Sequence, residues 1–236
     1  MTRSWKLFAC AAALACTGAG SQHIGLVSST YQAGVAASGT IQVNNAYGEV
    51  NVEGWDRPNV EVTVTRSAFQ HDTPQAREAA QRYLNRIRVN TTKAANGDLA
   101  ISTSFPSRNR VIRLFRGWGD FTLEYRIQVP RHSRLVIREG KGDVVITDVA
   151  GDIDARAHVG DVLVQVPQSA TYQLDARCRF GTVYSDLPGT SSYAFLFGHS
   201  LRNDASGNAH RLYLRVGAGG ISVQQFRNPL EPTATQ

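Results

Sequence analysis

From Gly142 to Val166 the chain alternates aliphatic and polar residues, and glycine breaks the alternation at a fixed interval. Gly142, Gly151 and Gly160 recur every nine residues, each followed by Asp and then by Val or Ile. Nine residues are too few for a helical repeat and suit a strand of about five residues plus a turn. Related frames stand at Gly48–Val52, at Gly181–Ser185 and, with one residue missing, at Gly220–Val223. Because strand side chains alternate faces, Val144/Ile146, Ile153/Ala155/Ala157, Val162/Val164/Val166 and Val183/Ser185/Leu187 are expected to point inward. Asp143, Asp152, Asp154, Arg156, Asp161 and Gln165 then face water.

The pattern predicts an all-β chain of the β-solenoid, or right-handed β-helix, type, in which a turn takes about eighteen to twenty-one residues. One coil cannot bury its apolar side alone, so stacking on neighbours about 4.8 Å away supplies the stability. Corner glycines are expected where φ is positive. An antiparallel sandwich with glycine-rich hairpins is the alternative, since short alternating strands describe it too.

Outside that stretch, strands are predicted at Thr40–Asn44, Gly48–Val52, Val60–Thr65, Ile87–Thr91 and Asp98–Phe105. Another runs from Phe121 to Val129 and stops at Pro130. Pro58 keeps Arg57 out of helical geometry and marks a turn. One helix is expected near residues 73–88, with Asp72 or Thr73 as cap, Pro74 in its first turn and an apolar stripe of Ala76, Ala79, Ala80, Tyr83, Leu84 and Ile87.

The first 22 residues have a basic start, an apolar run from Leu7 to Ala15 and small residues after it, which reads as a secretory signal too short to span a bilayer. Ala13-Leu14-Ala15 is an A-x-A cleavage site, and Leu14-Ala15-Cys16 resembles a lipobox, making Cys16 a candidate for lipidation and membrane attachment. An export signal implies a periplasmic, outer-membrane or surface location. Cleavage before Cys16 leaves Cys16 and Cys178, so disulfides are not expected to hold the fold. The domain is assigned to residues 38–226, followed by a disordered tail over 227–236.

Formal net charge is +6, or +4 without Arg3 and Lys6, and Lys occurs only at 6, 93 and 141. The basic residues are therefore nearly all Arg, the side chain suited to bidentate carboxylate or phosphate contacts. The segment 106–120 gathers Arg108, Arg110, Arg113 and Arg116 among Phe115, Trp118 and aliphatic residues, a candidate site for an anionic glycan or surface. A nucleic-acid partner is not expected, because no recognised binding motif occurs. His199 and His210 are read as packing residues, for lack of a third ligand at usable spacing. No cofactor or metal is called for. Asp143 and Asp161 fall at equivalent places in successive coils, a spacing that invites comparison with a glycosidase pair. Exposed turn carboxylates nevertheless lack the desolvation that raises a general acid.

Several motifs follow one another in a recognisable order: N-x-x-G-x-V-x-V at Asn45–Val52, helix then I-x-V-x-T at Ile87–Thr91, Gly97-Asp98-Leu99-Ala100-Ile101, Y-x-I-x-V-P at Tyr125–Pro130, the G-D-V repeats and G-x-I-x-V near Gly219–Val223. Together they resemble the bacterial adhesin-like domain family of unknown function, over roughly residues 38–226. The resemblance implies a cell-envelope β-solenoid without an assigned activity, interrupted here at Pro106–Asp120 and Ser191–Ala209. The expectation is a non-catalytic scaffold or binding module with an envelope protein, glycan or anionic surface as partner. A polysaccharide-cleaving β-helix enzyme and an envelope-stress sensor are the alternatives.

Overall fold

The computed structural model describes residues 24–34, 39–69, 74–104, 121–193, 198–203, 205, 207 and 209–226. The signal segment with Cys16, the basic segment 106–120 and the tail 227–236 lie outside the described residues. The chain is all-β, in two sheets. β1 (Ile24–Gly34), β2 (Thr40–Asn45), β3 (Glu49–Trp55) and β4 (Asn59–Phe69) precede α1 (Pro74–Leu84). β5 (Arg88–Lys93), β6 (Leu99–Ser104), β7 (Phe121–Pro130), β8 (Arg134–Lys141), β9 (Val144–Thr147), β10 (Ile153–Val159) and β11 (Val162–Pro167) follow. The chain ends through β12 (Tyr172–Phe180), β13 (Val183–Ser185), β14 (Thr190–Tyr193), β15 (His199–Arg202), β16 (His210–Ala218) and β17 (Ile221–Phe226).

Sheet A has the order β1-β4-β7-β3-β9-β11-β17-β13, and sheet B the order β14-β15-β12-β16-β10-β8-β2-β6-β5. Each short unit places its first strand in sheet B and its second in sheet A: β2β3, β6β7, β8β9, β10β11, β12β13 and β16β17. Within both sheets these strands pair in parallel. They do not stack in chain order. β2β3 lies between β6β7 and β8β9, and β16β17 fills the level between β10β11 and β12β13. Antiparallel strands flank the stack: β4 and β1 extend sheet A beyond β7, β5 pairs with β6, and the β14-β15 hairpin extends sheet B beyond β12.

The interior is built from rows of equivalent positions. Val50, Val144, Val162, Ile221 and Val183 form one row of sheet A, facing Ile41, Leu135, Ile153, Leu212 and Leu174 of sheet B. All ten are at most 5 % exposed, and the inward positions expected from the alternation are buried except Ser185, which is half-buried. Each contributes on the order of 1.5–3 kcal/mol. Leu84 and Ile87 are buried too, and the chain end of α1 is held where Arg66 Nη1 donates to the Ile87 carbonyl at 2.6 Å.

The corner glycines stack in a file of Gly48, Gly142, Gly160, Gly219 and Gly181. Gly142 and Gly160 have φ of 150° and 132°, and a Cβ on them would sit 1.8 Å from the Gly48 oxygen and 2.1 Å from the Gly142 oxygen. Left-handed geometry and backbone contact together demand glycine at these positions. Two of the repeat glycines have different roles. Gly220 does not take the corner: positive φ falls on Gly219, so no residue is missing from the last frame, and Gly220 occupies the place of Asp161. Gly151 has no positive φ and lies on the sheet B side, where a Cβ would meet the Ser133 carbonyl at 2.1 Å.

Candidate functional site

The aspartates of the G-D frame act as staples. Asp143 Oδ1 accepts from the Asp161 amide at 2.8 Å, and Asp161 Oδ1 accepts from the Gly220 amide at 2.6 Å. Asp98 accepts from the Thr40 amide at 2.6 Å and Asp152 from the Arg211 amide at 2.9 Å, doing the same on sheet B. These bonds satisfy amides at strand entrances that the ladders leave open. Asp143 and Asp161 thus stand in adjacent units, as expected, but each is committed to a backbone donor.

Ser191 and His199 form a hydroxyl–imidazole contact, Oγ to Nε2 at 2.7 Å. His199 Nδ1 accepts from the Val183 amide at 2.8 Å, which places the proton on Nε2 and makes it the donor to Ser191. An imidazole so fixed cannot take the serine proton, and the pair instead ties β15 to β13 across the end of the stack. Among the described residues no three His, Cys, Asp or Glu side chains gather as metal ligands would. His210 stands 3.8 Å from Asp152 and 6.0 Å from the Tyr172 ring centroid. Cys178 is a buried free thiol that donates to the Gly219 carbonyl, and burial raises its pKa.

The outer face of sheet B carries the concentrated chemistry. Arg138 of β8, Arg156 of β10, Arg215 of β16 and Arg177 of β12 are register partners, so four parallel strands present one arginine each in a single row. Like charges directly opposite one another on a sheet are destabilising by up to about 1 kcal/mol each. The row two residues earlier supplies the counter-charge. Asp154 receives both Arg138, Nη2 to Oδ2 at 2.9 Å, and Arg156, Nε to Oδ1 at 3.1 Å. Asp175 receives Arg215 at 2.8 Å and Arg202 at 3.2 Å. Partial burial pulls both carboxyls up, but the guanidinium hydrogen bonds outweigh it and hold them below the ordinary aspartate value. Tyr213 lies among the guanidiniums, with Arg215, Arg156 and Arg211 at 3.8, 5.0 and 5.2 Å from its ring centroid.

Neutralisation is incomplete. A groove of about 450 Å³ runs along this face, lined by Arg138, Arg156, Arg177, Arg179, Arg215 and His158. Among the described residues those five arginines form ion pairs only with Asp154 and Asp175, and the groove's third carboxyl, Glu139, is buried, so two to three positive charges stay in excess and Arg177 has no ion pair. The groove is concave because its next row places Gly140 and Gly217 beside His158 and Arg179. A Cβ on Gly217 would lie 2.4 Å from the His158 oxygen.

Beneath the row, Glu139 is 4 % exposed. Burial pushes its carboxyl up to about 7, against hydrogen bonds from Asn45 Nδ2 at 2.9 Å and the Lys141 amide at 3.2 Å.

The candidate ligand residues expected from the sequence, Arg108, Arg110, Arg113, Phe115, Arg116 and Trp118, lie outside the described residues. The arginine row was missed, yet it has a sequence signature. Arg138, Arg156, Arg177 and Arg215 each stand four residues before a corner glycine, Gly142, Gly160, Gly181 and Gly219.

No protein-family model matches the chain, and no curated protein matches it significantly. Its fold is similar to the crystal structure of a "putative cell adhesion protein" from Clostridium sporogenes, with TM-score 0.48 and 12 % identity over 86 % of this chain and 100 % of that one. A "putative lipid binding protein" from Parabacteroides distasonis gives TM-score 0.32 and 8 % identity over 83 % and 62 % of the two chains. A "putative adhesin" from Bacteroides fragilis gives 0.24 and 10 % over 86 % and 97 %.

Proposed function

We propose that this chain is a non-catalytic binding module of the cell envelope that holds an anionic partner on the arginine face of sheet B. The observation that carries this reading is the in-register row Arg138–Arg156–Arg215–Arg177 with too few carboxylates to neutralise it. A row of like charges opposes folding, and a bound polyanion would relieve it while gaining charge-assisted bidentate bonds. Non-catalytic action is favoured by the engagement of Asp143, Asp152 and Asp161 with backbone amides and of Asp154 with arginines.

In this reading the six two-strand units are the coils of an adhesin-like β-solenoid, a description favoured by the parallel register and the nine-residue step. The first 22 residues direct export, and lipidation of Cys16 would attach the module to a membrane. The basic segment 106–120 joins β6 to β7 and would add a second cationic element.

The test is binding of the mature protein to immobilised dextran sulfate against neutral dextran. Retention on the sulfated polymer that weakens with salt is expected, and the Arg156→Gln/Arg215→Gln double variant should bind at least about tenfold more weakly. Undiminished binding by a folded double variant would remove the sheet B face as the site.

A further inference from the structure

The arrangement of the arginines identifies a ligand class within the anion-binding reading, on which this inference rests. Three features of the row constrain what fits. It is linear, crossing four strands at right angles to them, and spans three strand spacings, roughly 14 Å in all. Its charges repeat at one strand spacing, about 4.8 Å. It borders a hollow, because Gly140 and Gly217 leave the neighbouring row without side chains at two of its four places.

A free phosphate or sulfate would occupy one step of such a row and leave the others unmatched. A membrane presents its headgroups as a plane, which meets a protruding patch better than a narrow channel. A hexuronic-acid polymer carries a carboxylate on every sugar, so a single linear chain can bring several anionic groups to the row at once. The planar guanidinium fork matches a carboxylate in two bonds, which a lysine could not do. Asp154 and Asp175, together with the Ile137 and Leu214 carbonyls that accept from Arg138 and Arg215, hold Arg138, Arg156 and Arg215 in place before any ligand arrives. Preorganisation of this kind lowers the ordering cost of binding. Arg177, with no ion pair among the described residues, ends the row as an open position, and Arg179 extends it by one row along the same strand.

We infer that the groove takes a linear acidic polysaccharide, running along the stack across the strands and setting several of its uronate carboxylates against the row Arg138, Arg156, Arg215 and Arg177.

Calorimetric titration of the mature protein with oligogalacturonates and oligomannuronates of one, two, four and six residues tests this, with inorganic polyphosphate and dextran sulfate in parallel. Affinity for at least one uronate series should rise tenfold or more from monomer to tetramer and change less than threefold from tetramer to hexamer. Arg177→Gln should weaken the tetramer about tenfold and leave the dimer within twofold, whereas Glu53→Gln on sheet A should change neither. Circular dichroism establishes that both variants are folded. Equal affinity for monomer and tetramer would overturn the ladder while leaving an anion site. Binding of dextran sulfate or polyphosphate with none of either uronate would overturn the ligand class alone. No binding of any of these anions would overturn this inference and the anion-binding reading together.

Discussion

The outward residues of the two sheets obey the same alternation and carry opposite chemistry. On sheet A the rows hold neutral hydrogen-bonding groups: Thr147 Oγ1 donates to Gln165 Oε1 at 3.2 Å, and Gln165 Nε2 donates to Gln224 Oε1 at 3.2 Å. Towards β4, that sheet lines a groove of about 430 Å³ with Glu53, Glu61, Glu124 and a single arginine, Arg126. On sheet B the equivalent row is arginine in four successive strands. Stacking one residue type on itself is self-satisfying for an amide, which both donates and accepts, and self-defeating for a cation, which only donates. An amide row therefore completes itself within the protein. A cationic row needs acids from elsewhere, and among the described residues only Asp154 and Asp175 form ion pairs with the five arginines of the groove.

Three perturbations separate what the sheets share from what distinguishes them. The largest effect comes from the common interior. Val162→Asp puts an unpaired charge between the sheets and should cost on the order of 4 kcal/mol, abolishing the cooperative thermal transition along with anion binding. Unchanged melting would show that the two faces do not depend on one interior.

Glu139 gives the next effect, and among the described residues it is the one buried carboxyl, lying beneath the charged row of sheet B. Its folded carboxyl is raised from 4.5 to about 7, so the native chain holds more protons than the unfolded chain between those values. From this group, unfolding free energy falls as pH rises through that window, by on the order of 3 kcal/mol, and levels off above it. Glu139→Gln should flatten the slope in chemical denaturation series and melt above the parent protein at pH 8. An unaltered pH slope would place the sensitivity elsewhere.

The smallest effect belongs to sheet A. Gln165→Ala removes both bonds of the amide row at a half-buried site and should lower stability by about 0.5–1.5 kcal/mol, read as a shift in denaturant midpoint. Retention on dextran sulfate should not change; a loss there would mean that the faces communicate.

Much of the architecture is legible in the residues themselves. Period-two alternation identifies the strands and their inward sides from Val144 to Leu187, and the glycine step places four of the corners correctly. The order of stacking is not legible, because β16β17 and β12β13 both offer an apolar pair after a glycine and would suit the level above β10β11. Local sequence carries no record of which one arrives there. The same ambiguity displaced the last corner from Gly219 to Gly220: only the pairing of Ile221 with Val162 fixes which glycine aligns with Gly160. The arginine row was concealed for a related reason. Its members lie four residues before corner glycines but 18 to 38 residues from one to the next along the chain, whereas the basic cluster at 106–120 gathers its charges close in sequence.

By itself, the sequence determined that the chain forms short strands with one dry and one wet side, that glycines turn its corners, and that most of its positive charge is arginine. These are local properties, set by side-chain alternation, left-handed backbone geometry and composition. Tertiary structure decided which units are neighbours, and hence that arginines from residues 138, 156, 215 and 177 share a row while Asp154 and Asp175 fall where they neutralise only part of it. Charge density across a sheet depends on strand order, and strand order is settled by which long-range pairings bury the interior best.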